Sequence, residues 1–256
     1  MTAGVASEAV QNIWTTYLHL AEGIAGVRIE RSEGFILCRG QIPHPVCNFA
    51  IVLEPEVDVF RALSRHCRGC QVNVYVTSVG SVDPREALIA QGFAKAYELE
   101  ILVAPVQAPP DRYLEVATVA VERRQSVARF MMDCFFACQG SHLRRSIANA
   151  IARSEDLELL GLGRGSNSVA AAMLSSSPAM LGLYNLCVAE PLRGQGIGRE
   201  VVSACLATAW ARKLPLTLQC QPTLSTWYED QGFERCGKLE VFSPTAGNGV
   251  IMMQGC

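Results

Sequence analysis

The stretch LYNLCVAEPLRGQGIGR, residues 183–199, decides the fold of this 256-residue chain. A strand-like run opens it, three glycines follow at positions 194, 196 and 198, and a helical pattern of apolar residues begins at Gly198. Glycine lets the backbone turn tightly and lets a ligand approach its N–H groups. The first N–H groups of a helix have no intrahelical partner and carry partial positive charge. Strand, loop and helix in this order therefore predict a cradle for an anion such as a pyrophosphate.

The spacing of the glycines excludes two common nucleotide loops. A Walker loop needs Lys-Ser/Thr after its last glycine, and a GxGxxG fingerprint needs a glycine at position 199, whereas Arg199 and Glu200 follow Gly198. The spacing fits Arg/Gln-x-x-Gly-x-Gly/Ala instead, met by Arg193, Gly196 and Gly198. In this it resembles the acyl-CoA pyrophosphate loop of the GCN5-related N-acetyltransferase (GNAT) superfamily.

The resemblance extends over residues 113–254. The strand at 182–188 resembles the fourth strand of that family, which lends backbone groups to the pantetheine arm of the acyl carrier. The strand at 215–220 resembles the fifth, which splays from the fourth to admit that arm. Residues 226–233, TWYEDQGF, look like the family's Tyr-x-x-x-Gly-Phe segment.

The resemblance implies acetyl-CoA as cosubstrate, no metal, and a set of site residues. Those implied to bind acetyl-CoA are Leu186, Cys187, Val188, Arg193, Gly194, Gln195, Gly196, Ile197, Gly198, Arg199 and Gln221. Backbone N–H groups near Val188 would polarise the thioester carbonyl. Tyr228 matches the family's proton donor, and a donor of pKa about 10 suits a leaving thiolate of pKa about 8–9. Gln221 departs from the family, which often has asparagine there.

The base that accepts the proton of the amine stays open. Histone-type members of the family carry a glutamate early in the fourth strand, and that position falls near Gly182 here. Tyr184, Glu158 acting through water, or no dedicated base are the alternatives. His142 and the arginines at 123, 124, 144 and 145 would lie near the acceptor. They favour either an acidic acceptor or nothing more than a solvated helix face.

An internal repeat indicates two related halves. Residues 89–100 and 229–240 match at five of twelve positions with an offset of 140, and prolines at 105, 109 and 110 mark a break between them. We therefore predict a degenerate GNAT-like domain at 1–104, a linker at 105–112 and a catalytic domain at 113–256. In the first half Leu88 stands where Tyr228 would be, and residues 53–58 are acidic and lack glycine.

The predicted fold class is α/β (α+β), with two GNAT-like domains, each a mixed, mostly antiparallel twisted sheet with helices on both faces. Hydrophobic periodicity predicts a first helix capped by Ser7. Further helices are expected at 56–66, 83–90, 122–137, 141–154, 198–212 and 225–230. Strands are expected at 27–31, 35–39, 48–53, 72–76, 94–103, 113–119, 157–162, 169–174, 181–188, 215–220, 235–242 and 250–254.

Composition limits the class of protein. Half of the residues are apolar, 18% are charged and the net charge is −2, which excludes intrinsic disorder and a global basic field for nucleic acid. The most apolar run, 201–211, is shorter than the roughly 20 residues of a membrane span. The first residues lack the features of a secretory signal, so a cytoplasmic location is expected. Cys67 and Cys70 have no second ligand pair, so we expect no zinc site.

These observations predict an acyl-CoA-dependent N-acyltransferase. It would transfer acetyl from acetyl-CoA to a primary amine by direct attack in a ternary complex, without nucleic acid or membrane as partner. The alternative is a non-catalytic acyl-CoA-binding sensor or regulatory protein on the same fold. The sequence does not identify the amine, and a homodimer is compatible with it.

Overall fold

The computed structural model describes residues 3–67, 70–77, 84–108, 116–164 and 167–245. In the first half of the chain these form helix α1 (Ala3–Gly23), strands β1 (Arg28–Ser32), β2 (Phe35–Arg39) and β3 (Phe49–Val52), helix α2 (Val57–Cys67), strand β4 (Asn73–Thr77), helix α3 (Pro84–Ala90) and strand β5 (Phe93–Ala104). None of the described helices is both long and apolar enough to cross a membrane.

The second half repeats this order with one additional helix and a short edge strand. It contains β6 (Ala117–Thr118), α4 (Val121–Phe135), α5 (Ser141–Arg153), β7 (Leu157–Arg164), β8 (Asn167–Ser176), β9 (Leu181–Val188), α6 (Ile197–Arg212), β10 (Leu216–Cys220), α7 (Ser225–Glu229) and β11 (Glu234–Pro244). Short 3-10 turns at Glu190–Leu192 and Pro222–Leu224 follow β9 and β10.

Most predicted elements lie within two residues of their observed bounds, and one start is wrong. Helix α1 begins at Ala3, so Ser7 lies inside it and does not cap it. The residues before Ser7 include Ala3 and Ala6, and alanine has the highest helix propensity. Of the strand predicted at 113–119, residues 116–119 are described, and the strand among them is Ala117–Thr118. The strand predicted at 250–254 lies outside the described residues.

The mixed α/β class is confirmed, but the strands form one sheet where two were expected. All eleven described strands are hydrogen-bonded in the order β1-β2-β3-β4-β11-β5-β10-β9-β8-β7-β6. The last strand of each half has moved to the other half: β11 pairs with β4, and β5 pairs with β10. The two strands that change places also pair with each other. This exchange joins the two expected sheets into one.

The exchanged strands lie about an approximate twofold axis. In the antiparallel pair of β5 and β11, Leu99 stands opposite Leu239. These two residues are related by the offset of 140 that defines the repeat, so the axis passes between equivalent positions. The repeat read from the sequence therefore marks the centre of the sheet.

Helices cover both faces of the sheet, with two apolar clusters on each face. Helices α1, α4 and α5 pack on one face, and α2, α3, α6 and α7 pack on the other. Helix α1 of the first half contacts α5 and β9 of the second half. The first half therefore contributes a helix as well as a strand to the surroundings of β9, the strand on which the candidate site is built.

Candidate functional site

Strand β9 separates from its neighbour β10 soon after the two strands begin. They pair in parallel only at Leu181 with Leu216 and at Gly182 with Thr217. The remaining six residues of β9, 183–188, have no partner on that side among the described strands. β10 continues along β5 instead. The result is a wedge-shaped gap between β9 and β10.

A bulge in β9 lies beside this gap. The register with β8 shifts between Ala171, opposite Cys187, and Met173, opposite Tyr184. Two residues of β9, Asn185 and Leu186, therefore lie opposite one residue of β8. Asn185 has a φ of 51°, which lies in the left-handed region. Such a conformation costs free energy for a residue with a side chain, and bulges redirect a strand next to functional sites.

The bulge is followed by backbone groups that face the gap. The Ala189 N–H donates to the Val169 carbonyl on the β8 side. Because backbone groups alternate along a strand, the Val188 N–H and carbonyl point the opposite way, towards β10. The Val188 carbonyl accepts a hydrogen bond from Arg193 Nε at 3.2 Å. The Val188 N–H therefore points into the gap.

The glycine loop leaves open space at the start of α6. Gly194 and Gly196 have φ values of +77° and +83°, and a Cβ built on either would meet nothing within 4 Å. Gly196 precedes the helix, and no side chain caps that end. The first helical hydrogen bond runs from the Glu200 N–H to the Gly196 carbonyl, so the N–H groups of residues 197–199 precede the helical ladder. An anion fits this cradle.

Two side chains hold the loop in place. Arg193 contacts Val188 as described, and Gln195 Nε2 donates to the Pro191 carbonyl at 3.3 Å. Both side chains are exposed, as are Gly194, Gly196 and Arg199. The predicted pyrophosphate loop is therefore solvent-accessible and fixed by short-range hydrogen bonds.

Tyr228 lies close to the start of α6 through its neighbour Trp227. Ring atoms of Trp227 lie 3.7 Å from the Cβ position of Gly198, and Val188 lies 3.8 Å from the same point. The Tyr228 ring packs edge to face with Trp227 at 4.7 Å between centroids, and edge to face with Phe233 at 5.6 Å. Burial raises the pKa of the Tyr228 hydroxyl, with smaller contributions from Cys220 and Cys205. The hydroxyl therefore keeps its proton at neutral pH.

Cys187 forms a thiol pair with Cys134 of α4. A hydrogen bond between the two thiols is the main cause that raises the pKa of Cys187, and burial adds to it. The same hydrogen bond lowers the pKa of Cys134. Arg193 acts electrostatically on both thiols. The C-terminal end of α4 is thereby located beside the end of β9.

The position near Gly182 is filled by the first half of the chain. A Cβ on Gly182 would lie 2.1 Å from Asn12 Oδ1 of α1 and 2.5 Å from the Tyr184 ring. The Tyr184 hydroxyl donates to Asn12 Oδ1 at 2.7 Å, and Asn12 Nδ2 donates to the Ser175 carbonyl at 3.1 Å. Any residue larger than glycine at position 182 would displace this buried network.

The two side chains considered as bases are poorly suited to that role. Tyr184 uses its proton in the bond to Asn12, and burial raises the pKa of its hydroxyl. Glu158 is ion-paired with Arg212, the last residue of α6. A helix of 16 residues spans about 24 Å, so Glu158 lies at the far end of α6 from the glycine loop.

The structure brings the sequence-predicted residues together around the gap. Leu186, Cys187 and Val188 lie on its β9 side, the loop of residues 193–199 lies at its end, and Gln221 follows β10 directly. Sequence reasoning missed Asn185, Asn12 and Trp227. Only a glycine at 182, unusual within a strand, hinted at close approach by another group.

Fold and site together define a class of acyltransferases, in which a splayed, bulged strand leads into a glycine cradle. Residues 121–248 match the family model described as an acetyltransferase (GNAT) domain. That match spans half of the chain, and the protein belongs to the GNAT family. No curated protein matches the chain.

Solved structures share the fold over nearly the whole chain at low sequence identity. A GCN5-related N-acetyltransferase from Kribbella flavida has a TM-score of 0.69 at 13% identity, covering 96% of both chains. A functionally unknown conserved protein from Staphylococcus epidermidis has a TM-score of 0.61 at 17% identity, covering 87% of this chain and 95% of that one. A tandem GNAT protein from the clavulanic acid pathway has a TM-score of 0.56 at 14% identity, covering 88% and 85%.

Proposed function

We propose that the protein is an acyl-CoA-dependent N-acyltransferase that moves an acetyl group from acetyl-CoA to a primary amine. The observation that carries this proposal is the cradle at the start of α6. There, two left-handed glycines leave open space where a side chain would be, at the end of a strand that has separated from its neighbour. The N–H groups of the loop and of the first helical turn suit a pyrophosphate, and the gap suits an extended thioester arm.

The reaction needs few side chains. The amine nitrogen attacks the thioester carbonyl carbon within a ternary complex, the C–S bond breaks, and the thiol leaves with a proton while the amine loses one. The Val188 N–H donates to the carbonyl oxygen as negative charge develops on it. Leu186 and Cys187 line the arm on the β9 side, and Gln221 contacts it from the end of β10. Residues 193–199 hold the pyrophosphate.

Tyr228 acts on the leaving sulfur. Its hydroxyl is protonated at neutral pH because burial raises its pKa. A raised pKa also makes the group a weaker acid than an exposed tyrosine. The Tyr228 hydroxyl therefore first donates a hydrogen bond that stabilises the departing thiolate. It then transfers its proton to the sulfur as the sulfur becomes charged.

The first half, residues 1–104, serves as a degenerate GNAT-like domain without chemistry of its own, joined by the linker at 105–112 to the catalytic half. Its strand β5 pairs with β10 of the second half, and its helix α1 packs against β9.

Calorimetric titration with acetyl-CoA tests the proposal. We expect Gly196→Glu to weaken binding about 100-fold or more, because a carboxylate enters the anion cradle. Gly26→Glu is the matched control, since Gly26 also has a φ of +83° with nothing within 4 Å of its Cβ position. It imposes the same backbone strain in the turn between α1 and β1, outside the loop, and should leave binding unchanged. Folded protein that does not bind acetyl-CoA would contradict the function, and unchanged binding in Gly196→Glu would contradict the site.

Tyr228→Phe distinguishes an enzyme from a sensor. We expect kcat for acetyl transfer to fall severalfold or more while the affinity for CoA is retained, because the hydroxyl contributes only as the C–S bond breaks. Tyr97→Phe removes a hydroxyl that is hydrogen-bonded to the Tyr75 hydroxyl at 3.3 Å, and it serves as control. Release of free thiol across a panel of amines provides the assay, and the absence of turnover with every amine would favour the sensor.

A further inference from the structure

A surface cavity of about 350 Å³ lies between α4 and α5, on the same side of the sheet as the thiol pair. The residues that line this α4–α5 cavity are Arg129, Met132, Asp133, Ser141, Arg144 and Arg145. A cavity of this volume is large enough for a small molecule. Positive charge dominates the lining, with three guanidinium groups against one carboxylate.

The carboxylate neutralises one of the three arginines. Asp133 Oδ1 accepts a hydrogen bond from Arg144 Nη1 at 2.9 Å. Arg129 and Arg145 form no ion pair with any side chain in the part of the chain that the structure describes. Two guanidinium groups, which stay charged at any physiological pH, therefore face one cavity without an anionic partner.

The backbone adds to the positive potential. Helix α5 begins at Ser141, and Gly140 before it provides no side-chain cap. The first helical hydrogen bond is donated by the Arg144 N–H to the Gly140 carbonyl, so the earlier N–H groups lie at the positive end of the helix dipole. Ser141 contributes a hydroxyl to the same wall.

A neighbouring arginine shows what a purely structural role looks like. Arg124 donates to the carbonyls of Ile151, Ala152, Ser154 and Leu157 at 2.7–3.1 Å. Its Nε and Nη2 donors point at the end of α5 and the start of β7, and it does not line the cavity. Arg129 and Arg145 have no such carbonyl partners among the described residues.

The cavity borders the candidate site. Asp133 precedes Cys134, which hydrogen-bonds with Cys187 of β9. Asp133 and Arg193 of the glycine loop both act electrostatically on Cys134. Helix α4 packs on β9. A ligand in the cavity would therefore lie near the end of α4 that contacts β9.

We infer that the α4–α5 cavity binds the anionic group, carboxylate or phosphate, of a small acceptor molecule. The inference rests on the proposed function insofar as the anion belongs to the acceptor. Arg129 and Arg145 bind two oxygens of the anion, Ser141 and the start of α5 donate further hydrogen bonds, and Asp133 holds Arg144 in orientation. The acceptor class is thus an amine that also carries an acidic group.

The test is a calorimetric titration of the full chain, free and saturated with CoA. Glutarate probes the carboxylate, inorganic phosphate probes the phosphate, and glutaramide is the neutral counterpart of glutarate. We expect at least one anion to bind at least tenfold more tightly than glutaramide, and to bind the CoA-saturated protein as well as the free one. Whichever anion binds more tightly identifies the acidic group.

Variants assign the binding to the cavity. Arg129→Gln and Arg145→Gln should each weaken anion binding about tenfold, and Arg145→Lys should restore part of it. Arg153→Gln, an exposed arginine at the other end of α5, should leave it unchanged. Equal affinity for glutarate, phosphate and glutaramide would overturn the inference, as would anion binding unaffected by both variants or abolished by CoA. Failure of CoA itself to bind would contradict the proposed function instead, because the free protein still tests the cavity.

Discussion

Strands β3 and β9 occupy the same place in two halves with the same order of elements, yet only β9 leaves a gap beside it. β3 pairs with β4 at Phe49, Ala50 and Ile51, and extends one residue beyond the last pair. β9 extends six residues beyond its last pair with β10. β9 also carries the bulge at Asn185. One half has kept a closed sheet, and the other has opened its sheet at the equivalent point.

The loops that follow β3 and β9 also differ, in glycine content and in charge. Between β3 and α2 the chain reads LEPE, residues 53–56, without glycine, and the helix begins among Glu54, Glu56 and Asp58. Acidic residues at a helix start stabilise the helix and repel a phosphate. Between β9 and α6 the loop has two glycines, Gly194 and Gly196, and the arginines at positions 193 and 199 are exposed. A shared topology therefore does not create a site, and the local backbone and charge do.

The largest expected effect comes from separating the halves. Fragments 1–108 and 109–256 each lose the strand that completes their sheet, since β11 pairs with β4 and β5 pairs with β10. We expect neither fragment to unfold cooperatively on its own, and the intact chain to unfold in one calorimetric transition. Mixing or co-expressing the fragments should restore that transition. A second-half fragment with the melting temperature of the whole chain would contradict the exchange.

A smaller effect should follow from making the second loop resemble the first. Gln195→Glu places a carboxylate in the loop, as the first half carries acidic residues in its own, and removes an exposed hydrogen bond of 3.3 Å to the Pro191 carbonyl. We expect acetyl-CoA to bind about tenfold more weakly with the melting temperature unchanged, because like charges repel within the cradle. Glu56→Gln is the reciprocal control and should leave acetyl-CoA binding as it was. Equal affinities for Gln195→Glu and the parent would show that the loop does not hold the pyrophosphate.

The smallest effect concerns the axis between the halves, where equivalent positions carry opposite charges. Glu98 and Lys238, related by the offset of 140, are hydrogen-bonded at 3.0 Å. Hydrogen bonds from Lys95 first, and then from Lys238, lower the pKa of Glu98 to about 2. Glu98→Gln should reduce the free energy of unfolding by about 1 kcal/mol at pH 7.

The pH dependence gives this prediction its sign. A carboxyl whose pKa is lowered in the folded state stabilises the fold above the unfolded value, about 4.3, and that contribution disappears as the pH falls towards 2. Urea unfolding at a series of pH values should therefore show the difference between parent and Glu98→Gln closing over that interval. A difference that stays constant over this pH interval would contradict the assignment.

Local features of the fold could be predicted from the sequence, and long-range ones could not. The bounds of α6 and β9 followed from glycines and apolar spacing that act within a few residues. The exchange of β5 and β11 could not be predicted, because the two repeats have nearly the same pattern and either strand satisfies either edge. The contact of Asn12 with Gly182 joins residues 170 apart, and no local pattern encodes it.

The same limit applies to the candidate site. The loop and Tyr228 could be located because each matches a short motif. The hydrogen bond of Tyr184 to Asn12, which argues against Tyr184 as a base, depends on a helix from the other half. The sorting of the arginines is equally non-local, since Arg124 and Arg145 differ only in what surrounds them.

The strand exchange also dictates when the chain can finish folding during its synthesis. The edge of β4 receives its partner only when β11 emerges, and Thr77 pairs with Leu239, 162 residues later. Contacts this distant in sequence slow folding, and an uncovered strand edge invites pairing with other chains. The first half must wait on the ribosome with an unpaired edge for almost the whole of the second half's translation. A chaperone that shields β4 would therefore raise the yield of the native protein more than one that shields β9.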